Sequence, residues 1–197
     1  MPCSILRSVL LVVVTAVVIG TARGRSGSGD HLTAGFTRVR LTESQFVVQK
    51  PYDVLLDARY EFSGGIRRMW VFSTDKPGSP TYPGGARTEI KINEVYTSRA
   101  TTLMLHVYDG NLTFYHRQQS VLAHDAYDRW LRLNVVHDVG ARNVTVYVDG
   151  AERLCSSSHG APHAEHYFKF GVYKQSHHNP SHRMESRWRN VRVFTKP

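Results

Sequence analysis

Tyr167-Phe-Lys-Phe-Gly-Val-Tyr-Lys-Gln175 is the stretch on which the reading of this chain turns. As a β-strand it alternates two faces. Phe168, Phe170 and Val172 make an apolar face that belongs in a core. Tyr167, Lys169, Gly171, Tyr173 and Gln175 make the other. Two phenols, an ammonium and an amide, grouped about a glycine that admits close approach to the backbone, suit an oxygen-rich anionic ligand.

Working outward, the rest of the chain reads as short strands. Gly35-Phe-Thr-Arg-Val-Arg-Leu41 and Ser44-Gln-Phe-Val-Val-Gln49 alternate until Pro51 interrupts them. Tyr52 to Arg59 is compatible with a strand or a loop, and Ser63-Gly-Gly65 with a turn. Arg68-Met-Trp-Val-Phe-Ser73 is rich in β-formers, whereas Asp75 to Gly85, with three prolines and three glycines, is a surface loop. Arg87-Thr-Glu-Ile-Lys-Ile92 sets Arg87, Glu89 and Lys91 against Thr88, Ile90 and Ile92. Thr101 to Tyr108 is turned by Asp109-Gly110 into a second run, and Asn143-Val-Thr-Val-Tyr-Val148 leads into Asp149-Gly150. Asp-Gly between two β-runs is a strong hairpin signal. Asp125 to Arg129 reads as a short helical turn before the strand Trp130 to Val136, and Arg187 to Phe194 is the last strand. No long segment has helical periodicity. The pattern is that of an all-β sandwich.

The N-terminus has a different character. Arg7, the apolar run Val9 to Ile19 and the small residues Gly20 to Ala22 describe a secretory leader over residues 1–22. The run is short for a membrane span, which needs about 20 residues; a retained anchor is the alternative reading. Arg23 to Asp30 is Gly-, Ser- and Arg-rich, so 23–34 reads as a disordered linker and 35–197 as one domain. Sequons at Asn111 and Asn143 agree with secretion. Cys3 falls in the leader, so Cys155 remains as the only thiol, with no internal disulfide; it reads as a buried small apolar residue. The formal charge is +9, and removal of residues 1–22 takes away Arg7 and no acid. Such a balance favours acidic partners. Secretion disfavours nucleic acid among them.

The opening stretch resembles the Tyr-Phe-Lys-Ala-Gly-x-Tyr-x-Gln strand of the alginate-lyase-like polysaccharide lyases, and Arg87-Thr-Glu-Ile-Lys91 their Arg-Ser/Thr-Glu-Leu/Val-Arg strand. Phe46-Val-Val-Gln-Lys-Pro-Tyr-Asp-Val54, Ser73-Thr-Asp-Lys-Pro77, Tyr127-Asp-Arg-Trp130 and Met184-Glu-Ser-Arg-Trp-Arg189 resemble the plant citrate-binding proteins that share this domain. The resemblance implies a concanavalin-A-like β-jelly roll with a glycan groove on its concave sheet. It also implies a Gln-Ile/Val-His motif between the two strands, and that motif is absent. Ile92 runs through Asn93 to Ala100 directly into Thr101, where the family has enough chain for two or three strands; the domain is shortened around 93–100. His106, in Leu-Met-Leu-His-Val-Tyr, matches a later strand and does not replace the missing histidine.

β-Elimination on a uronate polymer requires neutralisation of the carboxylate, removal of the C5 proton and protonation of the leaving oxygen. The resemblance assigns the acid–base role to Tyr173 and carboxylate binding to Arg87, whose planar fork suits a bidentate contact. Lys169, Gln175, Tyr167, Glu89 and Lys91 are the expected substrate contacts. Without the glutamine and histidine the set is incomplete. Three readings follow: a binding protein for an acidic glycan or a citrate-like polycarboxylate, an active lyase, and a shortened product with no specific function. No cofactor and no metal site are expected, because His159, His163, His166, His177, His178 and His182 have no defined ligand spacing. Trp70, Trp130 and Trp188 read as core residues, with stacking on sugar faces as the alternative. Arg187 and Arg189 line the groove or face water. A monomer is expected, in the extracellular space, cell wall or vacuole.

Overall fold

The structure, a computed structural model, describes residues 9–18, 30–76, 85–90, 103–115, 117–157, 168–174 and 181–196. Strands dominate: β1 (Val9–Val18), β2 (Thr37–Val39), β3 (Phe46–Gln49), β4 (Tyr60–Ser63), β5 (Ile66–Phe72), β6 (Gly85–Ile90) and β7 (Leu105–Tyr108). They continue with β8 (Asn111–Phe114), β9 (Arg117–Ala123), β10 (Arg129–Asp138), β11 (Asn143–Val148), β12 (Ala151–Ser157), β13 (Phe168–Tyr173) and β14 (Arg183–Lys196). Two single 3-10 turns, Asp30–Thr33 and Glu43–Gln45, supplement them.

An eight-stranded sheet in the order β12-β11-β10-β1-β14-β5-β4 forms one layer, with β2 joined to β14. The opposite layer consists of two three-stranded sheets, β13-β6-β3 and β7-β8-β9. Strict alternation on β5 and β11 sends Arg67, Met69 and Val71, and Val144, Val146 and Val148, inward. Each small sheet covers its own core. Leu112 and Leu122 meet Leu131, Leu133, Val135 and the β11 valines; Phe170 meets Met69, Val71 and Val193, with Trp188 packed against that cluster. Among the described residues, two separate cores thus lie under one continuous sheet.

The Asp-Gly hairpins form as read. Asp109 and Gly110 have φ 48° and 74°, and Asp149 and Gly150 have 53° and 88°, the positive pair that matches strand twist in a two-residue turn. Tyr52 to Arg59 takes the loop alternative, a succession of turns closed by Ala58 N–H to Leu55 O and Arg59 N–H to Leu56 O. Other expectations need correction. Asp125 to Arg129 is not helical, because Asp125 and Asp128 take φ 51° and 59°, outside the right-handed helical region. Cys155 is exposed rather than buried. Its neighbour Leu154 packs toward the core, so alternation turns the thiol outward. Asp30–Thr33 lies in the stretch read as a disordered linker, whereas residues 23–29 lie outside the described ones.

The leader expectation meets a structural finding of another kind. Val9–Val18 pairs along its whole length with β10, from Val9↔Asp138 to Val18↔Arg129, and with β14 on its other side. Ten consecutive apolar and β-branched residues satisfy a leader and a strand inside a sheet equally well.

Candidate functional site

β13 and β6 pair antiparallel, with Lys169 opposite Glu89, Gly171 opposite Arg87 and Tyr173 opposite Gly85. The two motif strands that lie far apart in sequence are therefore direct neighbours. Positions 87, 89, 169, 171 and 173 fall on one face of the small sheet, because directly paired residues share a face. Phe170 on β13 is buried, with its ring 5.0 Å from that of Trp188, which fixes the opposite face as the core side.

Tyr173 is exposed, at 43%. Its ring lies over Gly85: a Cβ there would stand 2.9 Å from the ring's Cδ1. A side chain at position 85 would push the ring away. The end of the strand is fastened by Lys174, whose Nζ donates to the Asp75 carbonyl at 2.7 Å. Asp75 is itself held by Arg59 through Nε at 2.7 Å and Nη2 at 2.5 Å, and by the Phe72 N–H at 2.8 Å. Burial pushes the Asp75 carboxyl up, but the Arg59 and backbone hydrogen bonds outweigh it and hold the group below its ordinary value. This clamp was not read from the sequence. Its only signal was the quoted Ser73-to-Pro77 motif.

Of the expected contacts, Lys169 and Tyr173 are described in full, and Arg87 and Glu89 by backbone register. Lys91, Tyr167 and Gln175 lie outside the described residues, as do residues 91–102, where the shortening was inferred. Among the described residues β13 pairs with β6 alone. His106 sits on β7, in the other small sheet, with its ring 4.8 Å from Tyr108 and 5.4 Å from Tyr115. Burial lowers its pKa below 6.5. It is not part of the β13–β6 face. His182 packs on Phe72, ring centroids 5.3 Å apart, and the other five late histidines lie outside the described residues. Among the described residues no group of His, Cys, Asp or Glu is placed to hold a metal.

A pocket of about 210 Å³ opens elsewhere, between the layers beside β3, with Phe46, Arg67 and Trp188 in its lining. Arg67 there is 5% exposed and fully engaged. Its guanidinium lies between the Phe46 and Phe62 rings, at 3.8 and 4.2 Å, donates to the Tyr60 hydroxyl and reaches both Glu43 oxygens at 2.7 Å. A buried arginine so paired is a clasp between the layers.

Arg187 and Arg189 neither line the β13–β6 face nor stand free in water. Both project from the far side of the large sheet. Trp70 and Trp130 are on that side too, under the guanidiniums of Arg68 at 5.0 Å and Arg189 at 4.0 Å. Of the three tryptophans expected in the core, Trp188 alone packs there. Cation–π stacking on the outer face accounts for the other two.

A family model described as alginate lyase matches residues 85–195, which include both motif strands. The chain belongs to this alginate lyase family. A citrate-binding protein of Hevea brasiliensis is 41% identical over 194 residues, covering 82% of this chain and 78% of that protein. That span exceeds the share of this chain it uses, so the alignment carries gaps on this side. Among solved structures, an alginate lyase of polysaccharide lyase family 7 superposes with a TM-score of 0.59 at 12% identity, over 78% of this chain and 95% of that one. A sialidase superposes at 0.54 and 13% identity, over 76% of this chain and 17% of the enzyme. At these identities the likeness is one of fold. The β-jelly roll expected from the sequence is the fold of this family member. No helix among the described residues is long and apolar enough to cross a membrane.

Proposed function

We propose that this family member binds an acidic ligand, a citrate-like polycarboxylate or a uronate-containing glycan, on the β13–β6 face and does not cleave it. The observation that carries the reading is the register that sets Arg87 opposite Gly171, two residues from Lys169 on one side and two from Tyr173 on the other. A planar guanidinium fork, an ammonium and a phenol suit carboxylate recognition. The citrate-binding name of the Hevea relative supports the same ligand class. Against turnover stands the chemistry: elimination needs the developing carboxylate charge neutralised while a proton is moved. The glutamine and histidine that complete that set in the family have no counterpart in this sequence.

Family membership favours a second reading, an active lyase in which Tyr173 moves the proton and Arg87 holds the carboxylate. The two separate at once in a polyuronate assay. The binding reading expects no growth of ultraviolet absorbance from unsaturated ends. Sustained growth that disappears in Tyr173→Phe establishes the lyase instead. A protein that gives neither turnover nor binding fits the third reading, a shortened chain without specific function. The leader-like N-terminal run and the sequons at Asn111 and Asn143 support passage through the secretory pathway with glycosylation. Export with cleavage at that point requires the sheet to tolerate the loss of β1.

A further inference from the structure

The outer face of the β5–β14 pair carries an arrangement that the proposed ligand site does not use. Arg68 and Arg187 are direct cross-strand partners, a like-charge pairing that is unfavourable by itself. Glu185 resolves it. Its Oε1 accepts from Arg68 Nε at 2.7 Å and from Arg187 Nε at 2.8 Å. Its Oε2 accepts from Arg68 Nη2 at 3.0 Å and from Arg183 Nη2 at 2.6 Å. Each carboxylate oxygen thus takes two N–H donors, which fills its acceptor capacity. The Glu185 side chain is 2% exposed, and those of Arg68, Arg183 and Arg187 are 32%, 42% and 35% exposed.

Three guanidiniums converge on one saturated carboxylate, so positive charge is in excess. The second acid in reach, Glu61, is half-exposed and 3.4 Å from Arg68. Arg183 and Arg187 each spend one nitrogen on Glu185; among the described residues no other hydrogen bond from either guanidinium is seen. Their remaining donors face outward from forks already held in place, so little side-chain entropy is left to lose on binding. Arg189, stacked on Trp130, extends the same face.

We propose that this outer face is an anchoring surface for an acidic polysaccharide, separate from the β13–β6 ligand face. Small ligands are held in concave pockets, and the pocket described between the layers has none of Arg68, Arg183 and Arg187 in its lining. An extended polymer with repeated anionic groups can lie across a sheet and meet forks one after another. Trp70 is covered by the Arg68 guanidinium, so on the described β5–β14 pair it offers no open ring to a nucleobase.

The test uses the full chain and two probes, polygalacturonate for carboxylates and heparin for sulfates. Wild type is expected to bind at least one of them with affinity that falls as salt rises. Arg183→Gln/Arg187→Gln is expected to bind about tenfold or more weakly. Arg68 remains bidentate to Glu185 in that variant, and an unchanged melting temperature confirms an intact fold. The double arginine variant is expected to keep the citrate binding assigned to the β13–β6 face, so failure of the ligand-face reading is distinguishable from failure of this one. Equal polymer binding by wild type and the double arginine variant overturns the proposal. So does tighter binding of anionic phospholipid vesicles than of either polymer.

Discussion

Glu185 accepts four guanidinium N–H donors, and its titration sets part of the acid stability. Burial raises its pKa, but hydrogen bonds from Arg68 and then Arg187 prevail and bring it below 4.5. A folded-state value below the unfolded one means that the unfolded chain takes up the proton first. The contribution is complete above that ordinary value and disappears as pH falls through the lowered one. Asp75, lowered by Arg59 and the Phe72 N–H, acts in the same direction. Glu185→Gln is therefore expected to cost roughly 1.5–3 kcal/mol at neutral pH and to flatten the acid limb of a urea-midpoint profile. An acid limb as steep as that of wild type would contradict this role. Gly85→Ala gives a second residue-level outcome: the new methyl stands 2.9 Å from Cδ1 of the Tyr173 ring and 3.0 Å from the Val172 carbonyl oxygen, so the ring and the paired strand must give. Weaker ligand binding with a lowered melting temperature is expected. Binding equal to wild type would remove Tyr173 from the site.

Elements with an apolar face were legible from sequence, and those without one were not. Val144-Val146-Val148 marked β11 by alternation, whereas β5 was legible from its β-forming composition, with Trp70 expected on the core side. β12, whose burial runs from exposed to intermediate throughout, was legible only as the run that the Asp149-Gly150 hairpin requires, and β9, with Arg117-Gln-Gln-Ser at its start, was missed. A strand at the edge of a sheet needs no such alternation, and β12 is one. The Asp-Gly turns were legible because only certain residues accept positive φ. Val9–Val18 was legible as apolar but not as a sheet element. In the structure it fills the place between β10 and β14. Deletion of residues 1–22 is thus expected to lower the melting temperature and to promote self-association through the opened β10 and β14 edges. A monomeric product with an unchanged melting temperature would show that those strands close on each other without it.

On the scale of the whole molecule, one continuous sheet is covered by two separate ones, with a core under each. The motif strands β6 and β13 survive in register on one of them, which keeps the recognition chemistry together. The sequence showed these two strands and their polar face, and it showed the missing glutamine and histidine. It could not show that Trp70, Trp130, Arg187 and Arg189 lie on the opposite side of the sandwich, because face assignment depends on which strands become neighbours. Recognition without turnover is the account that joins an intact Lys169–Arg87–Tyr173 register to an incomplete acid–base set. Calorimetric titration of citrate and of short oligogalacturonates into the full chain, alongside Lys169→Gln, tests it most directly. Saturable heat with at least one of these ligands, lost or weakened about tenfold in the variant, is the expected result. No heat with either ligand, or identical isotherms for the two proteins, would contradict the account.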